Sequence, residues 1–232
     1  MSTYHSKKAK EFLKDPKKVE RHDRTFWSLR QKRDAAAAEL PEWEDLREHA
    51  SRIKEHTATH LADYLEQFSN SLERNGVIVH FAKDAQEFNE MVYGILESHK
   101  VKKLVKSKSM LTEECEMNPY LIKRGINVVE SDLGERILQL MHLKPAHIVM
   151  PAIHLTRDEI GEMFEEKGIS KEKGNHDPAY LTRCAREDLR GDFMDADAGL
   201  TGCNFGVAAT GDCVVCTNEG NADMSTSVPK LH

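Results

Sequence analysis

The most chemically capable side chains of this sequence sit in short loops between apolar runs. In "VKSKSM", residues 105–110, an extended backbone puts Lys106 and Lys108 on one side and Ser107 and Ser109 on the other, with a helix expected from about Thr112. Two ammonium groups, hydroxyl donors and a helix N-terminus suit a carboxylate or a phosphate; a solvated lysine pair with Ser and Thr caps is the alternative. In "VVESDLGE", residues 128–135, Asp132 reads as a helix N-cap, while Glu130 is either a general base or the ion-pair partner of Lys106 or Lys108. "AHIVMPAIH" carries His147 at its start and His154 beyond its end. A histidine at the carboxyl edge of a strand can shuttle protons near neutral pH, or can simply be hydrogen-bonded.

The fourth loop region is "ATGDCVVCTNEGN". Its glycines permit positive φ or close ligand approach. Asn218, Glu219 and Asn221 would line a pocket with amides and one carboxylate, or would cap the backbone of a hairpin. The expected site therefore has Glu130, His154 and Glu219 as catalytic candidates. Lys106, Ser107, Lys108, Ser109, Thr210, Gly211, Asn218, Gly220 and Asn221 are the expected binding residues.

The same region holds Cys213 and Cys216 in C-x-x-C spacing. "CVVCT" reads as a strand, and strand residues three apart point to opposite faces, so the pair should not share a metal ion. Core packing is the expectation for both and for Cys184, and no metal ligand set is assigned. Five cysteines without a secretion signal argue against a disulfide framework.

These loops need a scaffold at whose edge they can meet. From Gly76 onward, "VIVHFA", "KLVKS", "INVVE" and "HIVMP" read as strands. They alternate with helical stretches in "DAQEFNEMVYGILESH", "TEECEMNPYLIKRG" (a break expected at Pro119), "LGERILQLMH" and "TRDEIGEMFEEKG", the last with Thr156 and Glu159 in capping-box spacing. A further helix starts at Asp177-Pro178. Such alternation implies a mostly parallel α/β sheet with flanking helices over residues 76–232, binding ligands at the carboxyl ends of its strands. Residues 1–75 read as an all-helical extension: one helix follows Asp15-Pro16, and a second follows Pro41, with Trp43, Leu46, Ala50, Ile53, Leu61, Leu65, Phe68 and Leu72 on one stripe.

Of the 232 residues, 39% are hydrophobic and 31% charged, which suits a folded domain with a core. No apolar run reaches membrane-spanning length and the N-terminus has no signal-peptide block, so a cytoplasmic location is expected. The net charge is −6, but residues 1–33 hold eleven Lys and Arg against four Asp and Glu. That arm suits docking on an acidic body or partner; the negative total and the lack of basic–aromatic interleaving argue against nucleic acid.

"KSKSMLTEE", "VVESDLGERILQL", "PAHIVMPAIH", "GLTGCNFGVAATG" and "TNEGNA…VPKLH" together resemble the lactate utilization protein B family, the LUD-domain iron–sulfur subunits of bacterial L-lactate oxidation complexes. The resemblance implies a ribose-5-phosphate isomerase/CoA-transferase-like fold, two partner subunits and oxidation of L-lactate to pyruvate. It also implies 4Fe-4S clusters in a ferredoxin-like region that follows the LUD domain. The sequence ends at His232 before such cysteines, so the expectation is a piece that holds no cofactor, is inactive alone and lacks the end of its LUD domain. The family pattern has a glutamate before Thr210-Gly211 where this chain has Ala209. A non-catalytic domain binding a small anion (a CoA ester, nucleotide or sugar phosphate) is the alternative function.

Overall fold

The computed structural model describes residues 3–217 and 219–232. Asn218, expected in the pocket, therefore lies outside the described residues. The chain divides into two compact units, Met1–Glu66 and Gln67–His232.

The first unit is helical. It contains α1 (Thr3–Phe12), α2 (Pro16–Ala38), α3 (Trp43–Thr59) and the beginning of α4 (Leu61–Arg74). Asp15 caps α2 by accepting from the amides of Lys17 and Lys18 at 3.1 and 3.2 Å, and Pro16 occupies the first helical position, where no amide donor is needed. The single helix expected after Pro41 is two, because His60 leaves helical geometry at φ −109°, ψ 26°. No described residue of α2 or α3 is buried, and Trp43, Leu46, Ile53, Leu61 and Leu65 of the expected stripe are exposed.

The second unit is α/β. In chain order it holds α5 (Ala85–Ser98), β1 (Lys103–Lys106), α6 (Met110–Glu114), α7 (Met117–Ile122), β2 (Asn127–Glu130), α8 (Leu133–Met141), α9 (Arg157–Glu166), α10 (Pro178–Met194), β3 (Ala198–Leu200), β4 (Phe205–Val207), β5 (Asp212–Val214) and α11 (Asn221–Ser227). Strands β2, β1 and β3 form a parallel sheet in that order, with Leu104 opposite Val128 and Ala198. Side-chain alternation splits the core into two layers. Leu104 and Val128 pack with Leu96, Met117 and Leu121 from α5 and α7, whereas Val105 and Val129 pack with Leu189 and Phe193 from α10. A third cluster joins Ile137, Phe164, Leu181 and Cys184 beneath α8, α9 and α10. Helices on both faces are what a parallel sheet requires.

Two expected strands are not formed. "VIVHFA" has no strand pairing, and Ile78 and Phe81 are exposed; "HIVMP" is bends and turns, with Ile148 and Val149 exposed. An apolar run becomes a strand only when another backbone takes its hydrogen bonds, and none of the described strands is positioned to do so. The break in the helical stretch after Thr112 falls at Glu116 (φ +50°), not at Pro119, which sits in the first turn of α7. The capping box of Thr156 and Glu159 is formed, as is the Asp177 cap on Tyr180. Glu219 and Gly220 lead into α11, which begins at Asn221.

The hairpin of β4 and β5 is antiparallel, and its turn docks on the end of α4. Ser71 Oγ donates to the carbonyl of Ala208 at 2.9 Å, and Asn75 Nδ2 donates to that of Thr210 at 2.8 Å. Gly211 has φ +80°, and a Cβ there would lie 2.8 Å from the Ser71 carbonyl carbon and 2.9 Å from Leu72 N. Gly76 has a similar φ of +84° but open space around it. Gly76→Ala should therefore cost roughly 1–2 kcal/mol for the left-handed backbone alone. Gly211→Ala should cost clearly more, because α4 must also shift. Urea unfolding of the two variants side by side checks this; equal losses would mean that the turn is not held against α4.

Candidate functional site

At the carboxyl ends of β1 and β3 the chain encloses a cleft of about 800 Å³. Ser107, Lys108 and Ser109 from the β1 exit form one wall, Thr201 to Asn204 after β3 form another, and Cys216, Thr217 and Asn221 close it with Asp132. The β1 exit is held by two backbone bonds: Ser107 N donates to Leu200 O at 2.9 Å, and Ser131 N donates to Lys106 O at 2.9 Å. Hydroxyls, amides and thiols share the lining with Phe88, Met110, Leu111, Leu200 and Val215, and Lys108 is the only basic side chain among the lining residues. Its Nζ donates to the carbonyl of Val149 at 2.8 Å and lies 3.9 Å from Asp132.

Lys106 does not join it there. Alternation in β1 and β2 puts Lys106 and Glu130 on the same face as Leu104 and Val128, directly in register with each other. Lys106 is fully buried, and its Nζ lies 2.9 Å from Glu130 Oε1, 2.9 Å from Glu113 Oε1 and 3.0 Å from Thr112 Oγ1. Burial works to lower the Lys106 pKa, but the Glu130 and Glu113 carboxylates outweigh it and hold the ammonium above its ordinary value. Asn118 Nδ2 donates to Glu130 Oε1. The pairing alternative for Glu130 is thus the geometry found, and the two lysines do not act as a shared anion clamp.

Glu135 completes this buried group from the first turn of α8. Burial, and then the neighbouring Glu130 carboxylate, push its pKa up to about 8. Asp132 caps α8, accepting from the amides of Gly134 and Glu135 at 3.0 and 3.2 Å.

The remaining expected residues are scattered. Glu219 is not among the cleft-lining residues; its Oε2 accepts from Leu133 N at 3.4 Å, and loss of solvent, and then Asp132, raise its pKa. Gly220 (φ +73°) precedes Asn221, which reaches the cleft. His154 is half-buried in the turn before α9 and is not among the cleft-lining residues. Thr210 and Gly211 belong to the hairpin turn packed on α4, so they do not line the cleft either. Cys184 is buried as expected, but Cys213 on β5 and Cys216 beyond its end are exposed; the two-stranded ribbon of β4 and β5 leaves its strand residues open to solvent. The sequence reading missed Glu113, Asn118 and Glu135, whose roles arise from where α6, α7 and α8 pack. It also missed Cys203 and Asn204 in the cleft wall.

Removing the Lys106 charge strands buried Glu130. Lys106→Met should destabilise the chain by about 3–5 kcal/mol, the usual cost of breaking a buried pair. Lys108→Met should cost under about 1 kcal/mol, since its pairing is half-exposed; urea midpoints separate the two. The pH dependence follows from Glu135. The folded chain keeps that proton up to about 8, whereas the unfolded chain releases it near 4.5. Stability should therefore fall as pH rises between those values. Glu135→Gln should flatten that slope in unfolding measured at several pH values.

Comparison with known proteins places this geometry. The LUD domain family model matches residues 65–232. Lactate utilization protein B of Bacillus pumilus is 47% identical over 205 residues, covering 88% of this chain and 43% of the relative. That of Oceanobacillus iheyensis is 47% identical over 202 residues (87% and 42%), and that of Shouchella clausii 45% over 206 (88% and 43%). The chain thus spans less than half the length of these relatives. No solved structure matches it. The parallel sheet with flanking helices, the match over most of the chain and the shared identity mean that this protein belongs to the LUD domain family.

Proposed function

We propose that this chain serves L-lactate utilization as part of a multi-subunit complex, and that its LUD unit holds the carboxylate of lactate or pyruvate in the cleft. The relatives named lactate utilization protein B support the process. The observation that carries the binding role is the convergence of Lys108, Ser107, Ser109 and Asn221 on one cleft at the carboxyl ends of parallel strands. Lys108 supplies the charge and the hydroxyls and amide supply donors, a combination that recognises a carboxylate. Of the three catalytic candidates none lines the cleft, but Glu219 interacts with Asp132 and Lys108 of its lining and is the one we assign to proton exchange with bound substrate.

Oxidation of lactate to pyruvate releases an electron pair and two protons. The electrons would pass to 4Fe-4S centres outside these residues, in a complex with two other subunits. The cysteines present do not fit such a cluster. Among the described residues no three cysteine sulfurs come close enough together to share a metal ion. Cys203 and Cys216 reach the cleft, but a 4Fe-4S centre takes four thiolates. Among the described residues no helix is long and apolar enough to cross a membrane.

The cleft is larger than a three-carbon acid fills, and its volume falls in the range of sites for larger ligands. That favours a second reading, a binding module for a CoA ester, nucleotide or sugar phosphate. Lys108→Ala in the assembled full-length complex separates the two. Loss of one charge-assisted contact should raise the lactate concentration needed for half-maximal cluster reduction roughly 10- to 100-fold. Lys108→Arg should recover part of it. Unchanged lactate dependence, with thermal stabilisation by a CoA ester and not by lactate, would instead establish the module.

A further inference from the structure

The buried glutamates have more to offer than a partner for Lys106. We propose that Glu113, Glu130 and Glu135 form a binding site for a hard divalent cation. Each offers one oxygen, and these oxygens all lie within 4.8 Å of one another. A cation making bonds of about 2.0–2.6 Å spans that spacing. The three residues come from α6, β2 and α8, so the cation would join three separate elements.

Two observations point to a missing occupant. Glu130 and Glu135 are more than nine-tenths buried, and the Oε2 atom of each has no donor other than the proton the two carboxyls can share. Glu130 Oε1 already faces the Lys106 ammonium, so its second oxygen is the one left for a cation. Asn118, which holds Glu130 through its Nδ2, also has a buried Oδ1 without a partner. The charges do not balance either: one ammonium meets three carboxyl groups. The other nearby cations are engaged elsewhere, Lys108 with Val149 and Asp132, Arg136 with Asp188 and Asp192. Once Glu135 gives up its proton to the incoming cation, three carboxylates face one ammonium, and a divalent ion offsets the remainder.

The site also has an entrance. Glu113 and Glu135 line a cavity of about 170 Å³ whose other walls include Met110, Pro145, His147 and Pro151. Oxygen-only donors select Mg²⁺, Ca²⁺ or Mn²⁺ over softer metals. Thr112, hydrogen-bonded to Lys106, lines the large cleft on the other side, so the cation would stiffen the cleft wall without entering it.

The test titrates the chelator-treated full chain with Mn²⁺ at pH 8 by calorimetry, alongside thermal unfolding with and without Mn²⁺. One ion per chain and a raised unfolding temperature are expected. Glu135→Gln and Glu113→Gln should each weaken binding at least about tenfold, a loss that even an outer-shell partner's removal produces. Glu113 is half-exposed, so its variant tests the site even if a change at a deeper position prevents folding. Absence of binding, or binding unchanged in both variants, would overturn the proposal.

Discussion

The arrangement of the α/β unit depends on a lysine and a glutamate that end two adjacent parallel strands. Lys106 and Glu130 are register partners, and both side chains are buried on the face that packs against α5 and α7. An ammonium in that position is tolerated only if carboxylates surround it, because desolvation costs more than one imperfect contact returns. Thr112 and Glu113 of α6, Asn118 of α7 and Glu135 of α8 are all drawn to this point. The ion pair thereby sets where three helices begin relative to the sheet.

The cleft is the complement of that cluster. With Lys106 consumed inside the fold, Lys108 is left as the basic group at the mouth, partly offset by Asp132. The cleft thus mixes apolar walls with one cation and several neutral donors and is not a strong anion trap, which suits a small carboxylate. The thiols of Cys203 and Cys216 in its wall give it a softer character than the loop composition alone suggests.

The sheet itself is short. Three parallel strands of three or four residues carry two of the three core clusters, and two apolar segments expected as strands remain outside the sheet. Gln139 takes part of the β2 edge by accepting from Glu130 N at 3.2 Å and donating to Val128 O at 2.7 Å. A side-chain amide standing in for a neighbouring strand satisfies the backbone there and leaves "HIVMP" free to run as turns.

Much of the scaffold was legible in the residues. Asp-Pro caps, the Thr156–Glu159 box and the β1 and β2 segments with their flanking helices follow from local chemistry that acts within a few residues. The loop after β1 was placed at the carboxyl edge of the sheet by the same logic. The fates of Lys106 and Lys108 were not legible: two residues apart in an extended stretch they look equivalent, and only the packing of α6 and α7 gives one of them carboxylate neighbours. Likewise Thr210-Gly211 reads as a ligand turn until α4 is seen to occupy its space, and Glu135 reads as an ordinary first-turn acid until burial raises its pKa. Helix caps and strand periodicity are short-range and therefore written in the sequence. Burial and charge pairing depend on residues distant along the chain, so tertiary structure alone decides them.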